Sequence, residues 1–417
     1  MDRAPILLLA YNRPDSLERT LSSIAGCENS DQYIMYVHID APNIYKSADV
    51  ECNFIVKRVI EKYRNRFKQF VVDEEKFHCG LANSVIKSVQ NIISIYGKII
   101  VVEDDLVVSK DCLNYLNSAL EIYKDNKKIW SITGYCPPLD HLKDYKKSVF
   151  LTPRACSWVW ATWIDRWERV DWDVSDYNDF VNDRDAQVRF CRGGYDQPLM
   201  LKQQMEGFID SWGIRWSYAQ SKQDMMTVYP VHNRVYHIGF TGGTHVNKEF
   251  PQTGLLEVYP ECIFEENIDD ILIKEYQQFC GGNPEEWDKC FEHIGDNSRF
   301  ESMFNVMHLW KALNEIGHSI SEYFFNRNFK RIAIYGKGKI GGHIENELMN
   351  SGVDVLYYID RNLDLCDEIR CFSPDDVLPE CDCIIISVTT NINSIRNILQ
   401  SKHKGAIKSI MDVLKDR

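Results

Sequence analysis

Residues 98–106 read Lys98-Ile99-Ile100-Val101-Val102-Glu103-Asp104-Asp105-Leu106. Four consecutive apolar residues suit a strand buried on both faces, and three carboxylates follow with no spacer. The segments on either side agree. Upstream, 81–96 carries an amphipathic helical pattern. Downstream, Ser109 is placed to cap a helix whose Leu113, Leu116 and Leu120 share one face. Residues 4–11 read as a first apolar strand, after which Pro14 takes a first-turn position and Leu17, Leu21 and Ile24 recur at helical spacing. Strands over 33–39, ending at Asp40, and over 70–72 complete the alternation. The expectation is an α/β fold, a mostly parallel sheet with helices on both faces. Ligands of such sheets bind beyond the carboxyl ends of the strands, so Arg13, Asp40 and Glu103–Asp105 are expected on one rim.

The chain has 417 residues, enough for two or three domains, and its 44% hydrophobic and 26% charged residues exclude wholesale disorder. No apolar run approaches the ~20 residues that span a bilayer, and the first residues lack the basic start and long apolar core of a signal peptide. The chain therefore reads as soluble and cytoplasmic, meeting the inner membrane surface at most peripherally. A net charge of −13 argues against nucleic acid as a partner. From Phe329 onward 12 basic residues face 13 acidic ones, which leaves −12 for residues 1–328. The 14 cysteines include no CxxC pair, so they read as reduced thiols and not as a zinc site. Changes of pattern suggest a first domain over 1–262, a helical linker region over 263–328 and a small α/β domain over 329–417.

Three adjacent carboxylates after a buried strand repel one another unless a cation or hydrogen bonds compensate. Mn2+ or Mg2+, shared with a diphosphate, would do so. The plainer alternative is a solvated acidic turn before a helix.

Several ordered segments resemble a known group. Pro5–Leu9 followed by Ala10-Tyr11-Asn12-Arg13, the strand-end Asp40, and Val101–Leu106 are similar to the nucleotide-sugar half of a GT-A glycosyltransferase, above all the inverting N-acetylglucosaminyltransferase I family and related bacterial sugar transferases. That family carries an EDDL motif after an apolar strand. Asp111–Leu116, Trp130–Gly134, Cys156–Ala161, Asp210–Arg215, Val228–Arg234 and Gly239–His245 keep its order, so the resemblance covers roughly residues 4–245.

The resemblance implies the following roles. Asp105 would be the metal ligand, Asp104 would face the ribose and Glu103 the donor sugar. Arg13 and Asp40 would hold the base, with His78 completing that pocket. Asp210 would be the general base of an inverting transfer, taking the acceptor hydroxyl's proton; Ser211 departs from the family pattern there, and Asp196 is the alternative. Gly239–His245 would form a closing loop, with His245 near the metal or a phosphate. Seven of the ten tryptophans lie between Trp158 and Trp216. Most suit a core, while Trp212 and Trp216 would stack on an acceptor sugar.

Gly336-Lys337-Gly338-Lys339-Ile340-Gly341 follows a strand and opens a helix, and Asp360 ends the next strand. With Gly336, Gly338, Gly341 and Asp360 so placed, this is the dinucleotide fingerprint in its expected context. The implied ligand is a nucleotide such as NAD, or the domain has a structural role.

The combined expectation is an inverting, Mn2+- or Mg2+-dependent glycosyltransferase. It would move a sugar, GlcNAc by analogy, from a UDP-sugar to a glycan or lipid-linked acceptor in surface polysaccharide synthesis, with a Rossmann-like appendage. Two other readings are a non-catalytic dinucleotide-binding sensor and a GT-A-like nucleotidyltransferase. The latter would need a glycine- and lysine-rich phosphate loop, where residues 10–16 offer only Arg13.

Overall fold

Side chains alternate across each strand, and this alternation sorts the N-terminal apolar residues into two layers. In β1 (Ile6–Ala10), Ile6 and Leu8 pack on one face with Leu17, Val37, Val56 and Leu116, while Leu7 and Leu9 pack on the other with Ala82, Val85 and Val89. The first face is covered by helices Pro14–Ala25, Ser47–Glu61 and Cys112–Tyr123, the second by Leu81–Tyr96. The computed structural model describes residues 3–43, 46–239, 251–264, 268–282, 297–315, 318–349, 351–362, 371–389 and 392–415.

Further strands are β2 (Ile34–Ile39), β3 (Gln69–Glu74), β4 (Lys98–Glu103), β5 (Leu106–Val108), β6 (Ile129–Thr133), β7 (Val149–Thr152), β8 (Trp160–Trp163), β9 (Met226–Pro230) and β10 (Val235–His237). Eight form one sheet in the order β3-β2-β1-β4-β8-β6-β9-β7. The β3-β2-β1-β4 half is parallel throughout, as is β6–β9, and β8 and β7 are the antiparallel insertions. The fully apolar strands are thus buried in a mostly parallel sheet with helices on both faces. Ser109 does not cap the following helix with its side chain: its carbonyl accepts Cys112 N–H, and its hydroxyl bonds Asp111, the residue at the cap.

The chain divides into two compact units. The first comprises Met1–Trp172, Asn178–Leu199 and Ser211–Trp287; the second comprises Asp173–Tyr177, Met200–Asp210 and Asp288–Arg417. In the second unit β11 (Arg331–Tyr335), β12 (Asp354–Ile359), β13 (Cys371–Phe372), β14 (Cys383–Ile386) and β15 (Ala406–Ser409) form a parallel sheet in the order β13-β12-β11-β14-β15. Helix Lys339–Leu348 packs on one face and Ile392–Gln400 on the other. Among the described cysteines eleven are free thiols. Cys371 is disulfide-bonded, which corrects the expectation of a wholly reduced set. No described helix is long and apolar enough to cross a membrane.

Candidate functional site

The order of strands in the first sheet reverses at β1, which has β2 on one side and β4 on the other. A crevice opens at such a point beyond the strand ends. Arg13 stands there, three residues past β1, with Glu103–Asp105 at the end of β4. Arg13 bridges two carboxylates: Nη2 donates to Asp104 at 2.6 Å and Nη1 to Asp105 at 2.5 Å. Asp104 and Asp105 are only 2% and 5% exposed. Asp104 Oδ2 and Asp105 Oδ1 are buried and accept no hydrogen bond from any described residue.

Burial dominates the electrostatics here. It pushes the Glu103 carboxyl up to about 8, aided by the charge of Asp105, and pushes Asp104 up to about 7 against the opposing pull of Arg13. Burial also acts to raise Asp105, but His237 and Arg13 together hold it below the usual carboxylate range.

His237 is a site residue that the sequence reading missed. Asp105 leads directly into β5, which pairs antiparallel with β10 so that His237 faces Leu106. Its Nε2 stands 3.4 Å from Asp105 Oδ2. Ile238 N–H donates to the Asp105 carbonyl at 2.9 Å and extends the ladder by one residue. That brings Gly239 against the Asp105 side chain. A Cβ there would lie 2.7 Å from Asp105 Cβ, 2.8 Å from Cγ and closer still to Oδ2, so the position admits only glycine without movement. Trp158 stacks on the His237 ring at 4.9 Å and 15°. The next residue, Val159, holds φ 45°, a left-handed conformation costly for a β-branched side chain. Thr133 Oγ1 donates to the Trp158 carbonyl and Gly134 N–H to that of Val159, which secures this turn. The remainder of the expected closing loop, including His245, lies outside the described residues.

Asp40 and His78 come together at the edge of the same rim. Asp40 Oδ1 accepts from Cys79 N and Oδ2 from Gly80 N, both at 3.0 Å, and His78 Nδ1 stands 2.9 Å from Oδ2. Although burial acts to raise it, these partners hold the Asp40 carboxyl below its ordinary value. Asp40 therefore anchors the turn into helix Leu81–Tyr96. The His78 ring lies 5.1 Å from that of Tyr11, whose hydroxyl donates to Asp49 at 2.7 Å. Tyr11 is the second residue whose part in this region the sequence did not signal.

Asp196, the alternative base, meets Arg154 through two bonds of 2.7 and 2.9 Å. Asp210 is exposed, one residue before Ser211, whose hydroxyl caps helix Trp212–Lys222. Trp212 and Trp216 require a correction. They are 4% and 1% exposed and pack with Trp130, Trp160 and Trp167 at centroid distances of 4.4–5.6 Å. Both are core residues, with no face presented to an acceptor.

A separate group, His38 on β2, Asp73 on β3 and Glu75 just past it, brings ligand atoms within 4.8 Å of one another. Lys87 already neutralises Glu75 there. At the rim, His237 stands 3.4 Å from Asp105, and Asp104 Oδ2 and Asp105 Oδ1 are buried with no donor among the described residues; carboxylate oxygens and an imidazole are the ligand types a divalent cation takes.

In the second unit Gly336 has φ 98°, and a side chain there would meet Ser387 Oγ at 2.8 Å. A Cβ at Gly341 would overlap the Gly336 carbonyl, whereas Gly338 faces open space. Asp360 Oδ2 accepts from Lys337 N at 2.8 Å, which ties the end of β12 to the glycine turn.

No protein-family model matches the sequence, and a comparison with curated proteins finds no match. Solved structures give partial likenesses. The mannosyltransferase PcManGT of Pyrobaculum calidifontis, solved with GDP-Man and Mn2+, matches at 16% identity and a TM-score of 0.30, over 40% of this chain and 46% of that one. Residues 1–349 of S. aureus TarS match at 14% identity and 0.29, over 39% and 47%. Mouse xyloside xylosyltransferase 1 matches at 11% identity and 0.29, over 53% and 83%. The chain spans less than half the length of the first two. At these TM-scores the likenesses concern parts of the chain, and the functional reading rests on the residues themselves.

Proposed function

We propose that the first unit is a metal-dependent, inverting glycosyltransferase that takes its sugar from a UDP-sugar, UDP-GlcNAc by the sequence resemblance, and passes it to a glycan or lipid-linked acceptor. The observation that supports this reading is the buried Asp104–Asp105 pair at the sheet crevice, with His237 Nε2 3.4 Å from Asp105 and two carboxylate oxygens that meet no donor among the described residues. Asp105 and His237 would hold a Mn2+ or Mg2+ ion, with Asp104 beside them. When bound, that ion supplies positive charge against the negative charge that grows on a departing diphosphate.

The chain's own residues do the rest. Tyr11, Asp40 and His78 shape the side of the rim where a uracil base would lie, and Asp40 fixes the turn that bears His78. Gly239 allows the backbone after β10 to close on Asp105. Glu103, at the end of β4 beside these acids, would face the donor sugar. Of the two candidate bases, Asp196 lies in the first unit with its charge taken up by Arg154, whereas Asp210 belongs to the second. The test is a panel of UDP-sugars incubated with Mn2+ and the protein, with UDP release as the readout. Metal-dependent release from one sugar, lost in Asp105→Ala, is expected; release indifferent to metal contradicts the reading.

For the second unit we propose nucleotide binding at the Gly336–Gly341 turn. The close glycine packing and the open position at Gly338 support it. Titration with NAD and with UDP, read against Gly338→Asp, tests that role.

A further inference from the structure

We infer that Arg13 is the internal counter-cation of the Asp104–Asp105 pair, and that a divalent ion binds this rim only by displacing it. The inference rests on the metal-dependent reading proposed above and changes what Arg13 is expected to do. The sequence resemblance placed it at the base. The structure instead places each of two guanidinium nitrogens on a different carboxylate, 2.6 Å from Asp104 and 2.5 Å from Asp105. Among the described residues no lysine or other arginine pairs with either acid. The bridge engages one oxygen of each carboxylate and leaves Asp104 Oδ2 and Asp105 Oδ1 buried with no donor among the described residues. Arg13 therefore supplies one unit of charge to a group whose acceptors are half satisfied.

The acids are the fixed members of this group and the arginine is the movable one. The Asp104 carbonyl accepts Thr20 Oγ1 at 3.0 Å, and the Asp105 carbonyl accepts Ile238 N at 2.9 Å. Gly239 packs directly on the Asp105 side chain. The Arg13 side chain is 26% exposed, whereas the acids' side chains are 3% and 7% exposed. Its backbone is held at the start of helix Pro14–Ala25, where its carbonyl accepts Leu17 N. The long side chain has free rotations to swing outward from that anchor with no change in the fold. A guanidinium and a divalent cation pressed against the same two buried carboxylates would repel strongly. Binding is thus an exchange. It leaves Arg13 at the rim with its charge unpaired, ready for an anion, so metal and diphosphate each favour the other's binding.

The test measures Mn2+ binding through loss of the free-ion electron paramagnetic resonance signal, with and without UDP. The proteins are the full-length wild type, Arg13→Met, Arg13→Lys and Asp105→Ala. Removing the competitor should tighten binding of Mn2+ alone by about tenfold or more in Arg13→Met. The enhancement of Mn2+ affinity by UDP should shrink in the same variant. Arg13→Lys, whose ammonium meets fewer acceptors at once, should fall between the two and serves if Arg13→Met does not fold. Equal or weaker Mn2+ binding in the Arg13 variants, beside a wild type that binds and an Asp105→Ala that does not, overturns this inference alone. No Mn2+ binding to the wild type overturns it together with the reading on which it rests.

Discussion

Replacing Gly239 with alanine probes the site through a residue that carries no functional group. The added methyl would lie 2.7 Å from Asp105 Cβ and 2.8 Å from Cγ, against the 3.4–4 Å of ordinary contact. Either Asp105 or the strand end must move by roughly 1 Å, since overpacked groups shift when they cannot compress. Moving the strand end would cost the Ile238–Asp105 bond of 2.9 Å and the approach of His237 at 3.4 Å. Overpacking of this kind costs about 1–3 kcal/mol of stability, and a misplacement of about 1 Å costs on the order of a hundredfold in function. Calorimetric titration of UDP in the presence of Mn2+, with a melting curve of the same sample, separates the two effects. The expected result is a modest fall in Tm with a much larger loss of metal-dependent UDP affinity. A Gly239→Ala protein that binds UDP and Mn2+ as the wild type does would refute the proposed role of Asp105, on which this backbone packs.

Other outcomes follow from the geometry. Asp196→Ala strands the Arg154 guanidinium and should cost about 2–4 kcal/mol, less than a fully buried pair because both partners are partly exposed; urea denaturation measures it, and UDP binding by the folded protein should be unchanged. Asp40→Ala should cost about 1–3 kcal/mol at pH 7. Because the folded Asp40 carboxyl is lowered, its contribution is present above the unfolded value near 4 and is lost as pH falls through the folded value, so the gap in Tm between variant and wild type should narrow from pH 7 to pH 3. In the second unit Gly341→Ala should destabilise by about 1–3 kcal/mol because its methyl meets the Gly336 carbonyl, while Gly338→Ala, facing open space, should melt within about 0.5–1 kcal/mol of the wild type.

The parallel half of the first sheet was legible because its central strands β1 and β4 are apolar on both faces and its helices keep a 3.6-residue period. Ile99–Val102 and Leu81–Tyr96 show this directly. The rim position of Arg13 and Glu103–Asp105 followed from the same pattern, because residues just past parallel strands must share an end of the sheet. His237 was hidden because its place depends on the pairing of β10 with β5 across more than 120 residues. Its one local signal is that it shares a strand face with buried Val235, directly before Ile238 and Gly239. Trp212 and Trp216 were misread because composition reports aromatic content and not which faces are already covered. The pairing of Asp196 with Arg154 joins residues 42 positions apart, which no local pattern encodes. The grouping of Asp173–Tyr177 and Met200–Asp210 with the second unit was hidden for the same reason.

The measurement that bears most directly on the central claim is calorimetric binding of UDP with and without Mn2+, to the intact protein and to Asp105→Ala. UDP binding that requires Mn2+ is expected in the wild type, with its loss in the variant. Equal, metal-independent binding by both proteins would contradict it.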